Sequence, residues 1–305
     1  MKFWVGITDK EWFQFLSQLQ PDELNFWQPG GGNAFRAIEP GAPFLFKLHS
    51  PDNFIVGGGF FVRHALLPLS LAWDAFEKNN GTTDLSTLRT KITAYRHRAE
   101  IDPVIGCIVL TSPFFFQRED WIPQPEDWKP NIVQGKTYDD QEPIGLRLWA
   151  QVQERLHRSK LYQTVTIAED SPLVGPEYLV RARLGQGAFR VLVTEAYKHR
   201  CAMTGERTLP VLQTAHIKPY GASGPNHANN GLLLRADLHL LFDKGYLTVT
   251  KDLVTEVSGR IKEDYHNGKE YYALHGKKLA VIPAQALERP SLEFIEWHNQ
   301  NVFTT

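Results

Sequence analysis

Residues 209–245 have the pattern of two short strands and a helix, and this segment constrains the fold more than any other. "LPVLQT" (209–214) and "GLLL" (231–234) are short apolar runs, separated by the turn-rich loop "KPYGASGPNHANN" (218–230). "RADLHLLFDKG" (235–245) has apolar residues at helical spacing and ends at Gly245, a typical helix C-cap residue. The sequence therefore predicts a unit in the order strand, loop, strand, helix.

Four polar residues occupy the junctions of this predicted unit. His216 follows the first strand, Asn230 ends the loop, and His239 and Asp243 stand four residues apart on the helix, so that both leave the same face. A histidine with a pKa near 6.5 suits a general base, and an asparagine at the loop end can hydrogen-bond across the loop. Hydrolysis of a phosphodiester with one metal ion needs a base that activates water and a cation that stabilises the departing 3′ oxygen.

The individual residues also have simpler interpretations. A single histidine beside an apolar strand is more often a packing residue, and a His–Asp pair on one helical face is more often an ion pair than a divalent-metal half-site. The case for chemistry depends on all four residues together. Lys218, His227 and Arg235 are close enough in sequence to add contacts to DNA phosphates.

The stretch "AHIKPYG…NNGLLLRADLHLLFDKG" resembles the HNH endonuclease motif, the ββα-metal finger. The resemblance implies that His216 is the general base, that Asn230 fixes the loop, and that His239 and Asp243 bind a divalent metal, Mg²⁺ or Mn²⁺. It places His216, Asn230 and His239 in the catalytic set. Many HNH enzymes have Asp or His before the base as a further ligand, whereas this chain has Ala215.

Composition and charge describe a chain of two unlike halves. The length of 305 residues favours two domains over one. Residues 1–150 carry 14 Lys and Arg against 18 Asp and Glu, and the remainder carries 19 against 16. The weakly basic second half is compatible with a polyanionic partner, although the excess is small. No apolar run is long enough for a membrane helix, and two isolated cysteines suit a reducing cytoplasm.

The first half predicts a small α+β domain with a curved sheet or barrel. The segments 35–49, 53–62 and 104–116 have strand patterns, the first of them as strand, turn and strand, and 69–81 has a helical pattern. Seven of the eight tryptophans lie in this half. Most are expected in the core, but Trp27 adjoins Asn25, Gln28 and the glycine-rich turn 30–32. An aromatic wall beside amide groups is the chemistry used to read a flipped base.

The pattern "MKFWVGITD…NFWQPGG…PGAPFLFKLHSP.NFIVGGGFF" resembles the EVE domain, a PUA-like fold related to readers of modified bases. The two resemblances imply an α+β protein with an EVE reader at 1–150, a linker at 151–187 and an HNH domain at 188–305. An EVE–HNH chain resembles modification-dependent (type IV) restriction endonucleases. By that resemblance the protein is bacterial and cytoplasmic, and its partner is double-stranded DNA carrying 5-methylcytosine or 5-hydroxymethylcytosine.

Two other functions remain open from the sequence. The chain could be a reader of modified nucleic acid with a degenerate HNH domain, which Ala215 favours and the four intact polar residues oppose. It could also be a less selective HNH nuclease, because modification preference depends on the shape of a pocket. With one finger per chain, cutting of both strands predicts a homodimer or two successive nicks.

Overall fold

The computed structural model describes residues 1–30, 32, 34–158 and 184–305. Its chain divides into two compact units, Met1–Ala188 and Phe189–Thr305. The second unit begins one residue after 188, the predicted first residue of the second domain. Helix α4 (Pro143–Arg158) continues the first unit beyond residue 150. Of the predicted linker, residues 159–183 lie outside the described residues.

The first unit contains a mixed sheet with helices, in agreement with the predicted α+β class. Within the described residues the strand order is β2-β5-β4-β3-β1-β7, and β6 pairs with β4. β1 and β3 are parallel, and the other pairs are antiparallel. The strands are β1 (Lys2–Thr8), β2 (Glu23–Gln28), β3 (Pro43–Leu48), β4 (Phe54–Pro68), β5 (Val104–Phe115), β6 (Ile122–Pro123) and β7 (Gly135–Asp139).

The same unit contains the helices α1 (Lys10–Leu19), α2 (Leu69–Phe76), α3 (Leu85–Arg96) and α4. The described residues of this unit form two buried hydrophobic clusters. One includes Leu148, Val152 and Leu156 of α4. Because these residues are spaced by four, they share one face of the helix and can be buried together.

The predicted strand 53–62 contains three consecutive glycines, which lie inside the long strand β4. A side-chain carbon at Gly57 would lie 2.3 Å from the Phe114 carbonyl oxygen, and one at Gly58 would lie 2.7 Å from the Phe114 ring. The register with β5 shifts between Gly58 and Phe60. The glycines therefore permit close contact with β5 and a local irregularity, and they do not end the strand.

The first of the two strands predicted in 35–49 is absent from the structure, and that prediction was wrong. The backbone between Glu39 and Ala42 forms a turn, with Ala42 N–H donating to the Glu39 carbonyl at 3.0 Å. Pro40 lacks the N–H that a sheet ladder requires. Phe35 instead packs its ring edge-on against Trp4 and Phe61. The apolar residues of this segment are therefore partly buried without strand pairing.

The second unit contains the predicted strand, loop, strand and helix. β8 (Leu212–His216) pairs antiparallel with β9 (Gly231–Arg235), and α6 (Ala236–Asp243) follows directly. Gly245 has a φ of 75°, the left-handed conformation expected at a helix C-cap. The remaining elements are α5 (Gln186–Ala196, which contains the unit boundary), β10 (Leu247–Val249), β11 (Thr255–Val257), α7 (Arg260–Tyr265), α8 (Lys269–Tyr272) and α9 (Leu292–Asn301).

A single hydrophobic cluster joins these elements, with Leu238 and Phe242 of α6 fully buried against both strands. Phe242 stacks on the ring of His298 in α9, with centroids 3.8 Å apart. His298 Nε2 donates to the Phe242 carbonyl at 3.1 Å, and Nδ1 lies 2.9 Å from the Thr248 hydroxyl. No helix in the described part of the chain has the length and apolar character needed to cross a membrane.

We expect His298 to make the second unit sensitive to acid. Burial lowers its pKa to about 4, although the Phe242 carbonyl and Asp243 oppose the shift. Between pH 6.5 and pH 4 the unfolded chain therefore binds a proton that the folded chain excludes. The free energy of unfolding decreases by up to about 3 kcal/mol as the pH is lowered through this range. His298→Gln keeps a donor for the Phe242 carbonyl and removes the titration. Urea unfolding of the full chain at pH 7 and 4.5 should show that the free energy of unfolding decreases less in the variant than in the parent. Equal decreases would contradict the role of His298 in acid sensitivity.

Candidate active site

His216 lies at the end of β8, between an aromatic ring and an amide. Its ring stacks on Phe189 of α5, with centroids 3.9 Å apart and planes 14° apart. His216 Nε2 lies 2.8 Å from Asn226 Oδ1, so the ring nitrogen donates to the amide oxygen. Asn226 is buried in the loop between the strands. This bond leaves the lone pair of Nδ1 available to accept a proton, as a general base requires.

Burial lowers the pKa of His216 below its ordinary value of 6.5. The Asn226 hydrogen bond and the charge of Asp243 act in the opposite direction, and His239 adds to the lowering. The electrostatic influence of Asp243 and His239 shows that all three side chains share one region. With its pKa below 6.5, His216 is neutral at pH 7 and holds the protonation state of a base.

Replacement of Asn226 by aspartate is expected to shift the pH dependence of cleavage. A carboxylate beside His216 Nε2 stabilises the imidazolium and raises its pKa. The acid limb of kcat/KM, expected below pH 6.5 in the parent, should therefore move to higher pH. Nicking of supercoiled plasmid between pH 5 and 9 measures this limb, with a melting curve as the control for folding. If folded Asn226→Asp protein shows the acid limb at the parental pH, protonation of His216 does not control the rate.

Asn230 fixes the loop that follows His216. Its Oδ1 accepts from the Lys218 N–H, and its Nδ2 donates to the carbonyls of Lys218 and Pro225, each at 2.9 Å. The backbone of Ile217 also donates to the Asn230 carbonyl at 2.9 Å. A side-chain carbon at Gly224 would lie 1.8 Å from the Lys218 carbonyl oxygen, so only glycine fits there. Asn230 is fully buried, and its side chain bonds to both ends of the loop.

His239 and Asp243 meet on the exposed face of α6. His239 Nε2 and Asp243 Oδ2 are 3.2 Å apart. Metal–ligand bonds of about 2.1 Å at right angles place neighbouring donor atoms about 3 Å apart, so the spacing fits a shared octahedral cation. A carboxylate oxygen suits Mn²⁺ or Mg²⁺, whereas an imidazole nitrogen favours a transition-metal ion over Mg²⁺. The donor set therefore fits half of a divalent-metal site.

Position 215 adds no ligand, because the methyl group of alanine has no donor atom. Ala215 is fully buried in the hydrophobic cluster of the second unit. Among the described residues, no group of three or more His, Cys, Asp and Glu is placed to hold a metal ion. A cation on the His239–Asp243 pair would complete its coordination with oxygen atoms of water or phosphate.

The predicted phosphate contacts differ in their availability. Lys218 Nζ lies 5.8 Å from the centroid of the Trp297 ring in a cation–π contact. Arg235 forms two bonds with Asp237, Nε to Oδ1 at 3.0 Å and Nη2 to Oδ2 at 2.6 Å. A phosphate would have to compete with this carboxylate for Arg235. His227 is half-buried, and burial lowers its pKa.

The three residues predicted to form a base pocket do not share one surface. Asn25 is fully buried, and its Nδ2 donates to Asn80 Oδ1 at 2.9 Å. Trp27 Nε1 donates to the Asn80 carbonyl at 3.0 Å, and its ring packs edge-on against the exposed Tyr95. Gln28 points to the opposite face of β2, because side chains alternate along a strand.

The environment of Gln28 confirms this separation. Its Oε1 and His64 Nε2 each lie 3.1 Å from the position that a side-chain carbon on Gly106 would take. The rings of His64 and Phe35 are 6.5 Å apart. Of the glycine-rich turn predicted beside the pocket, Gly31 lies outside the described residues.

Sequence reasoning missed three residues that contact the site: Phe189, Gln213 and Asn226. Gln213 Oε1 lies 2.9 Å from His239 Nδ1. The alternation of β8 was the available signal for Gln213, since position 213 shares a strand face with position 215. No signal marked Asn226 among the asparagines of its loop, and Phe189 reads as an ordinary apolar residue of a helix.

Comparison with known proteins identifies one segment of the chain. Residues 201–250 match the family model described as HNH endonuclease. No curated protein matches the chain. A solved structure titled modification-dependent TagI restriction endonuclease aligns with 92% of this chain and 76% of that chain, at 16% identity and a TM-score of 0.27. The family match confirms the resemblance drawn from the motif, and the protein contains an HNH endonuclease domain at residues 201–250.

Proposed function

We propose that the protein is a DNA endonuclease that hydrolyses phosphodiester bonds with His216 as general base. The observation that carries this proposal is the arrangement of His216, with Nε2 bound to Asn226, Nδ1 available, and the His239–Asp243 pair in the same region. A histidine that served only to pack the core would not need a bond that fixes its tautomer or a His–Asp pair nearby. The HNH domain match supports the same reaction class.

The residues divide the reaction between them. His216 Nδ1 accepts a proton from the attacking water as the new bond to phosphorus forms, and the bond to the 3′ oxygen breaks on the opposite side. Asn226 holds the imidazole in the required tautomer, and Asn230 keeps the loop in place. A divalent cation held by His239 and Asp243 would stabilise negative charge on the phosphate and the departing oxygen. In this proposal Lys218 would contact a neighbouring phosphate.

We further propose that the first unit makes cleavage depend on 5-methylcytosine or 5-hydroxymethylcytosine. The support is the EVE-like sequence pattern together with the polar side chains of Gln28 and His64 above Gly106, next to Phe35. An amide, an imidazole and an aromatic ring can hydrogen-bond and stack on an extruded base. In this proposal the base contacts the face of β2 that carries Gln28. Asn25 is no longer assigned to the pocket, because its buried amide is bonded to Asn80.

Digestion of matched plasmids tests both proposals. Unmodified and cytosine-modified plasmid are incubated with the full chain in Mg²⁺, Mn²⁺ or EDTA. We expect cutting of the modified plasmid with metal and none with EDTA. Equal cutting of both plasmids would leave a less selective nuclease, and binding without cutting under all conditions would leave a reader with a degenerate HNH domain. Accumulation of nicked circles before linear product would indicate two successive nicks, whereas direct linearisation would indicate a dimer.

Two surface variants locate the reading face. Gln28→Ala should reduce the preference for modified DNA, while Tyr95→Ala, on the Trp27 face, should leave it unchanged. Binding of modified and unmodified duplexes measures the preference, and a melting curve checks each fold. If Tyr95→Ala removes the preference and Gln28→Ala does not, the reading face is that of Trp27.

A further inference from the structure

Gln213 joins the strand that ends at His216 to the helix that carries the His239–Asp243 pair. Its Oε1 lies 2.9 Å from His239 Nδ1. Gln213 shares a face of β8 with Ala215, since the two positions are separated by two residues on one strand. That face packs against α6, because Ala215 is buried in the cluster that also contains Leu238 and Phe242 of the helix.

The hydrogen bond determines which nitrogen of His239 carries its proton. An amide oxygen can only accept, so Nδ1 must donate to Gln213 Oε1. The Nε2 of a neutral imidazole then presents a lone pair to Asp243 Oδ2, 3.2 Å away. Two lone pairs at this distance repel unless a positive charge lies between them. The bond to Gln213 therefore prepares His239 to share a cation with Asp243.

We propose that Gln213 is a positioning residue for the metal half-site: it accepts the Nδ1 proton of His239 and so holds Nε2 as the ligand atom. This inference rests on the proposed function, because it assigns the His239–Asp243 pair to a divalent cation. Ala215 adds no ligand. Gln213, two residues away on the same strand face, contributes to metal binding by orienting His239. Partners of this kind typically change metal affinity by about 10–100-fold.

Two substitutions at this position separate positioning from packing. Gln213 is exposed, so neither variant removes a buried contact. Gln213→Leu deletes the acceptor, and Gln213→Glu keeps an acceptor at about the same place and makes it stronger. Thr214→Val is the matched control, since it lies on the same strand with its side chain on the other face.

The first measurement is binding of Mn²⁺ alone to the full chain by titration calorimetry. We expect the Kd to rise by about 10–100-fold in Gln213→Leu and to stay equal or fall in Gln213→Glu. Thr214→Val should bind as the parent does. An unchanged Kd in Gln213→Leu overturns the proposal, and so does a rise of the same size in Gln213→Glu, because metal affinity would then not depend on an acceptor for the Nδ1 proton of His239.

The second measurement is the tautomer of His239 in the metal-free protein, read from the ¹⁵N shifts of its imidazole. The proposal requires the Nδ1–H tautomer in the parent and in Gln213→Glu, and its loss in Gln213→Leu. An Nε2–H tautomer in the parent overturns the proposal. Neither measurement depends on cleavage, so a protein that shows both effects and cuts no DNA would refute the proposed nuclease and leave the role of Gln213 intact.

Discussion

Replacement of His216 by alanine is expected to lower the rate of DNA cleavage by about 10²–10⁴-fold, the usual contribution of a general base. DNA binding should change little, because a base acts in the transition state and adds little to ground-state affinity. The stacking on Phe189 and the bond to Asn226 are lost as well, so folding must be verified separately. The measurement is single-turnover nicking of plasmid, alongside duplex binding and a melting curve.

His227→Ala is the matched control for this experiment. His227 lies in the same loop, is also half-buried and also has a pKa lowered by burial. It has no stacking partner comparable to Phe189 and no bond to Asn226 among the described contacts, and we expect its replacement to cost far less. Cleavage at the parental rate by folded His216→Ala protein would remove His216 from the mechanism, and a larger loss in His227→Ala would transfer the role of base to that residue.

The prediction of the second unit succeeded because its signals are local. The apolar runs 209–214 and 231–234 fall on or beside β8 and β9, and the helix ends at Gly245 with the positive φ that its position demands. Asn230 could be assigned because its hydrogen bonds remain within one loop. Sequence spacing is sufficient where the contacts are separated by only a few residues.

Prediction was weaker where contacts depend on tertiary packing. Gln213 and Asn226 reach the site through bonds between separate elements. The alternation of β8 is the one sequence signal for Gln213, and no spacing marks Asn226. The base pocket shows a different error. Asn25 and Gln28 are three residues apart on one strand, so their side chains leave opposite faces and cannot line one wall. Close spacing in sequence indicated proximity, but the period of the strand separates the two.

Loss of either member of the His239–Asp243 pair is expected to raise the metal requirement before it abolishes cleavage. The two donor atoms are 3.2 Å apart, and Ala215 supplies no substitute. Each protein ligand therefore carries a large share of the affinity for the cation. Since partners outside the coordination shell contribute about 10–100-fold, we expect His239→Ala and Asp243→Ala each to increase the Mn²⁺ concentration for half-maximal cleavage by about 100-fold or more.

Lys244→Ala provides the control, because Lys244 is exposed and directly follows Asp243 on the chain. Its replacement should leave the Mn²⁺ requirement unchanged. Cleavage is measured over a metal titration at fixed ionic strength, so that screening of DNA contacts does not imitate a loss of metal binding. If Asp243→Ala cuts normally at low Mn²⁺, the His239–Asp243 contact is a helix ion pair of the i, i+4 type, and the second protein ligand lies elsewhere. If both variants retain the parental requirement, the helix holds no metal, and charge stabilisation at the phosphate must come from cationic side chains such as Lys218.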